Sequence, residues 1–319
     1  ESNDKKSLSL TLKNDIVKAF LSPYEKQVYI APGVSTATFV DGHEAALTTG
    51  AKGRRLNIEK TLAAIQDELI AQNKKIVPLP VSELQPKISY NRSYSITSAG
   101  LNALLADIGK KKGNYAITVR ELSGLERFGS YNGDKTYHPA STYKLFIAYG
   151  VLKRIDSGIL HWPDSFRSGK SVEQCFNAMI INSDNACAEA FGDRLGWGAI
   201  NDDVRAIGIS SSVILRGRLA STTNDQVALL HKFLYGNIVT ADSLSRLLGV
   251  MRQQVYRSGI PAGVGVPVAN KVGFLNGLKH DSAIVYSNHG TYLISIYSSG
   301  SSWANIADAA HQIEAYLRS

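Results

Sequence analysis

The sequence contains few cysteines, prolines and methionines and no long apolar run. Its 319 residues include only 2 Cys, 9 Pro and 2 Met. Two cysteines do not make a disulfide scaffold, and the spacing of Cys175 and Cys187 resembles no zinc site. No apolar stretch approaches the ~18 residues that a helix needs to span a bilayer. These absences exclude a small disulfide-stapled fold, a zinc module and a helical membrane protein.

Acidic residues are fewer than basic ones. The chain has 35 Lys and Arg against 27 Asp and Glu, which is a formal net charge of +8. The basic residues are scattered, and the two short clusters, Lys110–Lys112 and Lys52–Arg55, have no aromatic residues among them. We therefore expect a solvated surface and no nucleic-acid partner. An anionic cell-envelope polymer would suit this charge equally well.

The sequence does contain enough apolar residues for a large core. At 44 % hydrophobic and 19 % charged residues, the composition is typical of a globular chain. The length exceeds the size at which single cores stop growing, so two domains are expected. The polar segment Ser89–Ser95 predicts the boundary between them, which divides the chain into residues 1–92 and 93–319.

Residues 1–92 are predicted to form a small α+β domain. Apolar residues at helical spacing predict a helix over Asn57–Gln72. Alternate prolines favour an edge strand over Lys75–Val81. Two earlier stretches, Gln27–Ala31 and Ala37–Val40, are rich in residues that favour strands.

Part of this domain resembles small modules described as peptidoglycan-binding domains of bacterial envelope proteins. The resemblance runs from Gly53–Asn57 through Leu79–Val81 to Gln85–Ile88. It implies contact with a cell-wall polymer. A structural spacer that presents the next domain is the alternative.

From Ile96 onward the pattern predicts strands at both ends of the domain and helices between them. Such an arrangement favours one sheet that is assembled from the two ends and covered by a helical layer, an α/β or α+β sandwich. The predicted elements are a helix over Ala99–Ile108, strands over Tyr115–Val119, Glu126–Ser130, Asp281–Ser287 and Gly290–Ser298, and a final helix over Trp303–Leu317.

The segment around Ser141 carries the first chemical motif. Pro139 and the apolar run that follows predict a helix start, which places Ser141 in the first turn. Lys144 then lies on the same face, close enough for its amine to reach the Ser141 hydroxyl. A lysine whose ammonium is destabilised by burial or by another cation can take that proton and activate the serine. The same Ser-x-x-Lys spacing recurs over Ser2–Lys5, so the motif alone is not specific.

Two later segments are informative only together with the first. Ser183, Asp184 and Asn185 separate two predicted helices, where such residues are ordinary in turns. Lys271 belongs to the strand that opens near Val268, where a solvated lysine on an edge strand is the structural alternative.

In their order along the chain, Ser-x-x-Lys, Ser-Asp-Asn and Lys-x-Gly resemble the motifs of class A β-lactamases and penicillin-binding proteins. The resemblance covers about residues 96–319, with Lys271 leading an interior strand and Gly273 standing where a ligand approaches closely. It implies a sheet flanked by a helical subdomain, an active site between the two, and no metal or cofactor.

The resemblance also implies roles for the residues of the first two motifs. Ser141 would be the acylated nucleophile, and Lys144 the base or proton relay that activates it. Ser183 would pass a proton to the leaving nitrogen. Asn185 would bind both Lys144 and the substrate amide.

The third motif would bind the substrate from the strand. Lys271 would attract a substrate carboxylate and help to lower the pKa of Lys144. Val272, Gly273 and Phe274 would line the substrate. The backbone N–H groups of Phe274 and of the nucleophilic serine would form the oxyanion hole.

One departure from the family pattern concerns substrate affinity. Val272 stands where a hydroxyl residue usually follows the lysine. An aliphatic side chain cannot donate to a carboxylate, which removes a hydrogen bond worth about 1.5 to 3 kcal/mol.

A second departure concerns the glutamate that activates water for deacylation in class A enzymes. No glutamate occurs from position 190 to position 313, and Glu189 belongs to the helix after Ser-Asp-Asn. Residues 209–221 are too few for the family's long loop, and Asp225 suits the first turn of the next helix. We therefore expect poor deacylation.

Two residue pairs are interpreted as structural. His280 and Asp281 are adjacent on a predicted strand and face opposite ways, which argues against a catalytic dyad. Cys175 and Cys187 flank the Ser183 turn, and two buried thiols are favoured over a disulfide.

The sequence thus predicts a bacterial envelope serine hydrolase that forms an acyl-enzyme at Ser141. Its substrate would be an amide, either a β-lactam or a peptidoglycan stem peptide. The alternative is a cell-wall-binding or β-lactam-sensing protein that keeps the fold without turnover. Either protein would act outside the cytoplasm, secreted or anchored at the cell surface. Since residues 1–6 resemble neither a signal peptide nor an anchor, membrane attachment would need a targeting segment outside this sequence.

Overall fold

The computed structural model describes residues 13–71, 76–110 and 113–318. The Ser-x-x-Lys spacing at positions 2–5 and two lysines of the 110–112 cluster lie outside these residues. By its internal contacts the chain divides between Ser93 and Tyr94 into two compact units.

The N-terminal unit combines helices with short strands. In chain order its described elements are α1 (Asn14–Val28), β1 (Val34–Val40), β2 (His43–Thr48), β3 (Gly53–Leu56), α2 (Ile58–Ile70), β4 (Val81–Leu84) and β5 (Lys87–Ser93). β1 pairs antiparallel with β2 and parallel with β5, and β3 pairs antiparallel with β4.

Two local predictions for this unit are confirmed. The predicted helix is α2, although Gln72, its predicted last residue, lies outside the described residues. Its first turn is capped because the Asn57 side chain accepts the Lys60 N–H at 3.0 Å. The strand predicted over Ala37–Val40 is the second half of β1.

Two others are wrong. Gln27–Ala31 begins inside α1 and contains no strand. Residues 76–80 are irregular because prolines cannot donate to a ladder, so β4 starts only at Val81, while Lys75 lies outside the described residues. The polar segment Ser89–Ser95, predicted as the domain boundary, contains the end of β5 at Ser93, since an exposed strand tolerates polar side chains on both faces.

The C-terminal unit alternates between sheet and helices as the sequence predicts. Its elements are α3 (Ser98–Gly109), β6 (Asn114–Glu121), β7 (Phe128–Tyr131), α4 (Lys144–Asp156), β8 (Ser165–Arg167), β9 (Lys170–Ser171), α5 (Val172–Ile181), α6 (Asn185–Leu195), α7 (Trp197–Ala206), β10 (Val213–Leu215), β11 (Arg218–Ala220), α8 (Thr223–Tyr235), α9 (Ala241–Arg252), α10 (Ile260–Val264), β12 (Val268–Leu275), β13 (Leu278–Ser287), β14 (Gly290–Ser299) and α11 (Trp303–Leu317).

One antiparallel sheet organises this unit, in the strand order β12-β13-β14-β6-β7. α3 and α11 pack on one face of the sheet, where Leu105 and Ile313 are buried. The helices from α4 to α9 enclose a second core on the other face, around Phe146. Ile284 and Val285 belong to opposite cores, as the alternation of side chains along a strand requires. The predicted sheet with a helical subdomain is thus confirmed.

Cys175 on α5 and Cys187 on α6 form a disulfide. The prediction of two free thiols is therefore wrong, although both residues are buried as expected. The two helices are joined by a short turn and pack against each other, which brings the cysteine Cα atoms to 5.2 Å, within the range that a disulfide spans.

Candidate active site

Ser141 lies just before helix α4, in a 3₁₀ turn over Ala140–Tyr143. The α-helix begins only at Lys144, so the serine precedes the first α-helical turn in which it was predicted. The reason is local, because a backbone hydrogen bond to Pro139 O tightens the chain and Ala140 adopts a left-handed φ of +45°. The 3₁₀ turn therefore sets the position of the serine hydroxyl.

Lys144 is buried beside Ser141 and contacts three residues of the predicted site. Its Nζ lies 3.0 Å from Ser141 Oγ. The same nitrogen donates to Ser183 O and to Asn185 Oδ1, each at 2.6 Å, and lies 3.3 Å from Ser183 Oγ. One amine therefore joins the first motif to the second.

The surroundings of Lys144 favour its neutral form. Burial lowers its pKa from an ordinary 10.5 to about 8, against the opposing charges of Asp184 and Glu189. A lysine with this pKa presents a free amine at mildly alkaline pH, which can accept the Ser141 proton.

The turn between α5 and α6 presents the second motif. Ser183 has a left-handed φ of +61°, which reverses the chain. Asp184 then caps α6 because its side chain accepts the Cys187 N–H at 2.8 Å. This turn places the Ser183 hydroxyl and the Asn185 amide oxygen against Lys144.

Lys271 reaches the same hydroxyl from strand β12. Its Nζ donates to Ser183 Oγ at 2.8 Å and to Val272 O at 2.9 Å. Burial and then the charge of Lys144 hold the pKa of Lys271 well below its usual range. The strand is an edge strand and not the interior one predicted, yet α9 and the 3₁₀ turn pack on it and the lysine is fully buried.

At Gly273, strand β12 packs on the 3₁₀ turn that contains Ser141. A Cβ at this position would lie 2.7 Å from Pro139 O and 2.8 Å from Ser141 N. The close approach predicted for a ligand is thus made by the protein's own backbone. It brings the edge strand directly against the serine.

Val272 and Phe274 alternate with Lys271 and Gly273 along the strand. Val272 is 1 % exposed and lines a narrow slot together with Trp303. Phe274 is 48 % exposed, and its ring packs edge-to-face against Tyr256 and Trp303 at centroid distances of 5.3 and 6.1 Å. Sequence analysis missed this aromatic cluster because its members come from β12, from the loop before α10 and from the start of α11, which meet only in the tertiary structure.

His280 and Asp281 face opposite ways, as predicted. The His280 ring nitrogens contact His138 O and the Ser298 N–H, and burial lowers the pKa of the ring to about 4, so it is neutral. Asp281 accepts from Asn270 Nδ2 and from the Ile260 N–H, each at 2.9 Å. The two residues support the strand beneath the site and do not form a dyad.

The segment before α8 forms a short hairpin. β10 and β11 pair over residues 213–220. Asp225 lies in the first turn of α8, as predicted, and accepts the Ser212 hydroxyl at 2.8 Å. This acid is therefore engaged in packing the hairpin on the helix.

Two absences hold for the parts of the chain that the structure describes. Within residues 13–71, 76–110 and 113–318, no group of three or more His, Cys, Asp or Glu side chains is placed to hold a metal ion. Among those same residues, no helix has both the length and the apolar character to cross a membrane.

A serine beside a buried lysine, and a second serine that two lysines contact, lie between an antiparallel sheet and a helical layer. This combination defines a serine hydrolase of the β-lactamase and transpeptidase type. Residues 99–316 match the family described as the beta-lactamase enzyme family, and the chain belongs to that family. The match begins at residue 99, so the cell-wall-binding interpretation of residues 53–88 stays a prediction.

Solved structures show the same fold. The acyl-enzyme complex of a PBP-A point mutant with penicillin G is 21 % identical, with a TM-score of 0.64 over 68 % of this chain and 97 % of that one. A β-lactamase from Sphaerobacter thermophilus is 20 % identical, with a TM-score of 0.61 over 70 % of this chain and 96 % of that one. No curated protein matches the chain.

Proposed function

We propose that this protein forms an acyl-enzyme at Ser141 with an amide substrate. The observation that carries the proposal is the 3.0 Å contact between Ser141 Oγ and a buried lysine whose pKa is about 8. A neutral Lys144 takes the serine proton while Oγ attacks the carbonyl carbon. Ser183, which contacts both lysines, passes a proton to the leaving nitrogen as the C–N bond breaks.

The edge of the sheet supports a role for β12 in binding that substrate. Ser141 N and Phe274 N would stabilise the oxyanion, at about 3 to 4 kcal/mol for each donor. Lys271 would contribute positive potential, and the outer edge of β12 would pair with an extended peptide. Both a β-lactam and a peptidoglycan stem peptide meet these requirements, and the penicillin complex of a structural neighbour supports the first.

Deacylation is the slow step of the proposed reaction. The short hairpin over residues 213–220 carries no glutamate, and Asp225 is bound to Ser212. The acyl-enzyme would therefore persist. The same feature favours the second candidate function, a β-lactam-sensing or cell-wall-binding protein that acylates without turnover.

We place this activity outside the cytoplasm of a bacterium, secreted or anchored at the cell surface. The chemistry supports this location, because the two substrate classes are found in the cell envelope. The N-terminal unit would then contact a cell-wall polymer.

A fluorescent penicillin tests the proposal. We expect covalent label on the wild-type protein and none on the Ser141→Ala variant, as read on a denaturing gel and by intact mass. Label that does not depend on Ser141 would overturn the acylation step. Nitrocefin turnover above about 10 per second, a median enzyme rate, would overturn the slow deacylation.

A further inference from the structure

A narrow slot lies on strand β12, one residue from the point where the strand touches the turn of Ser141. Its walls are Val272, Tyr256, Ser258, Gly259 and Trp303. The Phe274 ring packs on two of these walls and leaves about half of its own surface exposed. With a volume of about 30 Å³, the slot admits a group of about the size of a methyl or a water molecule. Phe274 extends its apolar surface.

The contacts of Gly273 fix how close this slot is to the reaction centre. A Cβ on Gly273 would lie 2.8 Å from Ser141 N, and consecutive Cα atoms are about 3.8 Å apart. Val272 and Phe274 flank Gly273, and their side chains point to the opposite face of β12. An extended substrate paired with the outer edge of β12 presents its own groups alternately to the two faces. A substrate whose carbonyl lies at Ser141 therefore presents a neighbouring group to the slot.

The cations near β12 are directed away from the slot. Lys271 belongs to the other face of the strand, and its Nζ donates to the Val272 carbonyl at 2.9 Å. Arg257 stands in sequence between two residues of the slot, yet its guanidinium donates to Asn270 Oδ1 at 2.8 Å, nearer the start of β12. Lys279 belongs to β13, which pairs with the inner edge of β12. The five walls of the slot themselves carry no charged side chain.

An acid lies directly behind the slot. Asp281 is paired with Val272 across the sheet, and a Cβ on Gly259 would lie 2.5 Å from Asp281 Oδ2. Burial raises the pKa of Asp281 to about 6, so the group is still ionised at neutral pH. A substrate carboxylate in the slot would lose its hydration and meet a like charge. An uncharged apolar group meets neither cost.

We propose that this slot selects substrates whose group beside the scissile amide is uncharged and apolar, and that it disfavours a carboxylate there. The inference rests on the proposed acylation at Ser141 and narrows its substrate. An amide inside a longer peptide is preferred to one that adjoins a free C-terminus. Penicillins with a free carboxylate still acylate Ser141, but more slowly than their uncharged derivatives.

Penicillin G and its methyl ester test this preference, because they differ in a single charge and a methyl group next to the lactam nitrogen. The rate of Ser141 labelling is followed by intact mass and divided by the rate at which hydroxide opens the same compound, which removes differences in ring reactivity. We expect the wild type to react about tenfold faster with the ester, since an unpaired charge is costly to bury. Val272→Thr adds a hydroxyl donor at nearly constant volume, and should shift the acid-to-ester ratio about tenfold towards the acid.

Two further variants test the apolar contact. Phe274→Ala should slow labelling by the ester about fivefold, since part of a buried apolar surface is lost. Phe128→Ala is the matched control, because Phe128 is 43 % exposed on β7, the opposite edge strand of the same sheet, and both of its rates should equal those of the wild type.

The outcomes separate this inference from the proposed function. A wild type that reacts faster with the acid, an unchanged ratio in Val272→Thr, or equal rates in Phe274→Ala and Phe128→Ala would overturn the role of the slot while acylation stands. Absence of Ser141-dependent label with both compounds would instead overturn the proposed function.

Discussion

Lys144 and Lys271 contact one and the same hydroxyl, that of Ser183, at 3.3 and 2.8 Å. Burial lowers the pKa of both amines, and the charge of Lys144 lowers the pKa of Lys271 further. The protonation state of Lys271 therefore depends on that of Lys144, the amine that contacts Ser141.

The first prediction concerns the pH dependence of acylation. The labelling rate of Ser141 should rise about tenfold per pH unit below pH 8 and level off above it, because only neutral Lys144 accepts the proton. Stopped-flow or quenched labelling from pH 6 to 9.5 measures this profile. A rate that is flat over this range would show that Lys144 is not the base.

Gly273→Ala tests the packing of β12 against the 3₁₀ turn that contains Ser141. The new methyl group would press on Pro139 O and Ser141 N, so we expect a loss of about 1 to 3 kcal/mol in stability. The labelling rate should fall at least tenfold, since Ser141 must move. Urea unfolding and penicillin labelling measure the two effects.

Gly249→Ala is the control for that substitution. Gly249 lies within α9, and a Cβ there meets no atom within 4 Å. Alanine should leave labelling unchanged and stabilise the helix by up to about 1 kcal/mol. If Gly249→Ala and Gly273→Ala had the same stability and the same labelling rate, the close packing of β12 against the turn at Ser141 would be contradicted.

His280 should make the protein sensitive to acid. Its pKa is lowered by burial from 6.5 in the unfolded chain to about 4 in the fold, so unfolded chains bind more protons between these values. The contribution of neutral His280 to the free energy of unfolding is therefore complete above pH 6.5. It is lost as the pH falls towards 4, and the total loss is roughly 3 kcal/mol. Unfolding in urea at a series of pH values should show this acid limb.

The variant His280→Gln should flatten that limb, whereas His289→Gln, at an exposed histidine, should retain it. Asp281 acts in the opposite direction, because its raised pKa of about 6 means that its contribution is lost as the pH rises from 3.8 to 6. Wild type and both histidine variants retain Asp281, so its contribution to the pH dependence of stability cancels when they are compared. An unchanged slope in His280→Gln would contradict the assignment.

The disulfide between Cys175 and Cys187 should stabilise the turn that holds Ser183. It closes a loop of sequence separation 12, and a cross-link of that size contributes about 3 kcal/mol. The double variant Cys175→Ser, Cys187→Ser should unfold at correspondingly lower urea concentration. Wild type in reductant should behave like the double variant, and an insensitive wild type would argue against the bond.

The local signals in the sequence predicted several elements closely. The final helix begins and ends where expected, at Trp303 and Leu317. Asp225 takes its place in the first turn of α8, and His280 and Asp281 point apart because strand alternation is a local rule. Predictions of secondary structure failed where the local pattern was ambiguous, as at Gln27–Ala31, which is partly helical.

The three motifs, their order and the gap in glutamate from 190 to 313 are properties of the sequence alone. They were enough to name the family and to predict the five polar residues that the structure brings within hydrogen-bonding distance of one another. The tertiary structure decided what depends on contacts between distant segments. The burial that lowers the pKa of Lys144, the edge position of β12 and the disulfide all follow from how helices and sheet pack, which a linear pattern does not encode.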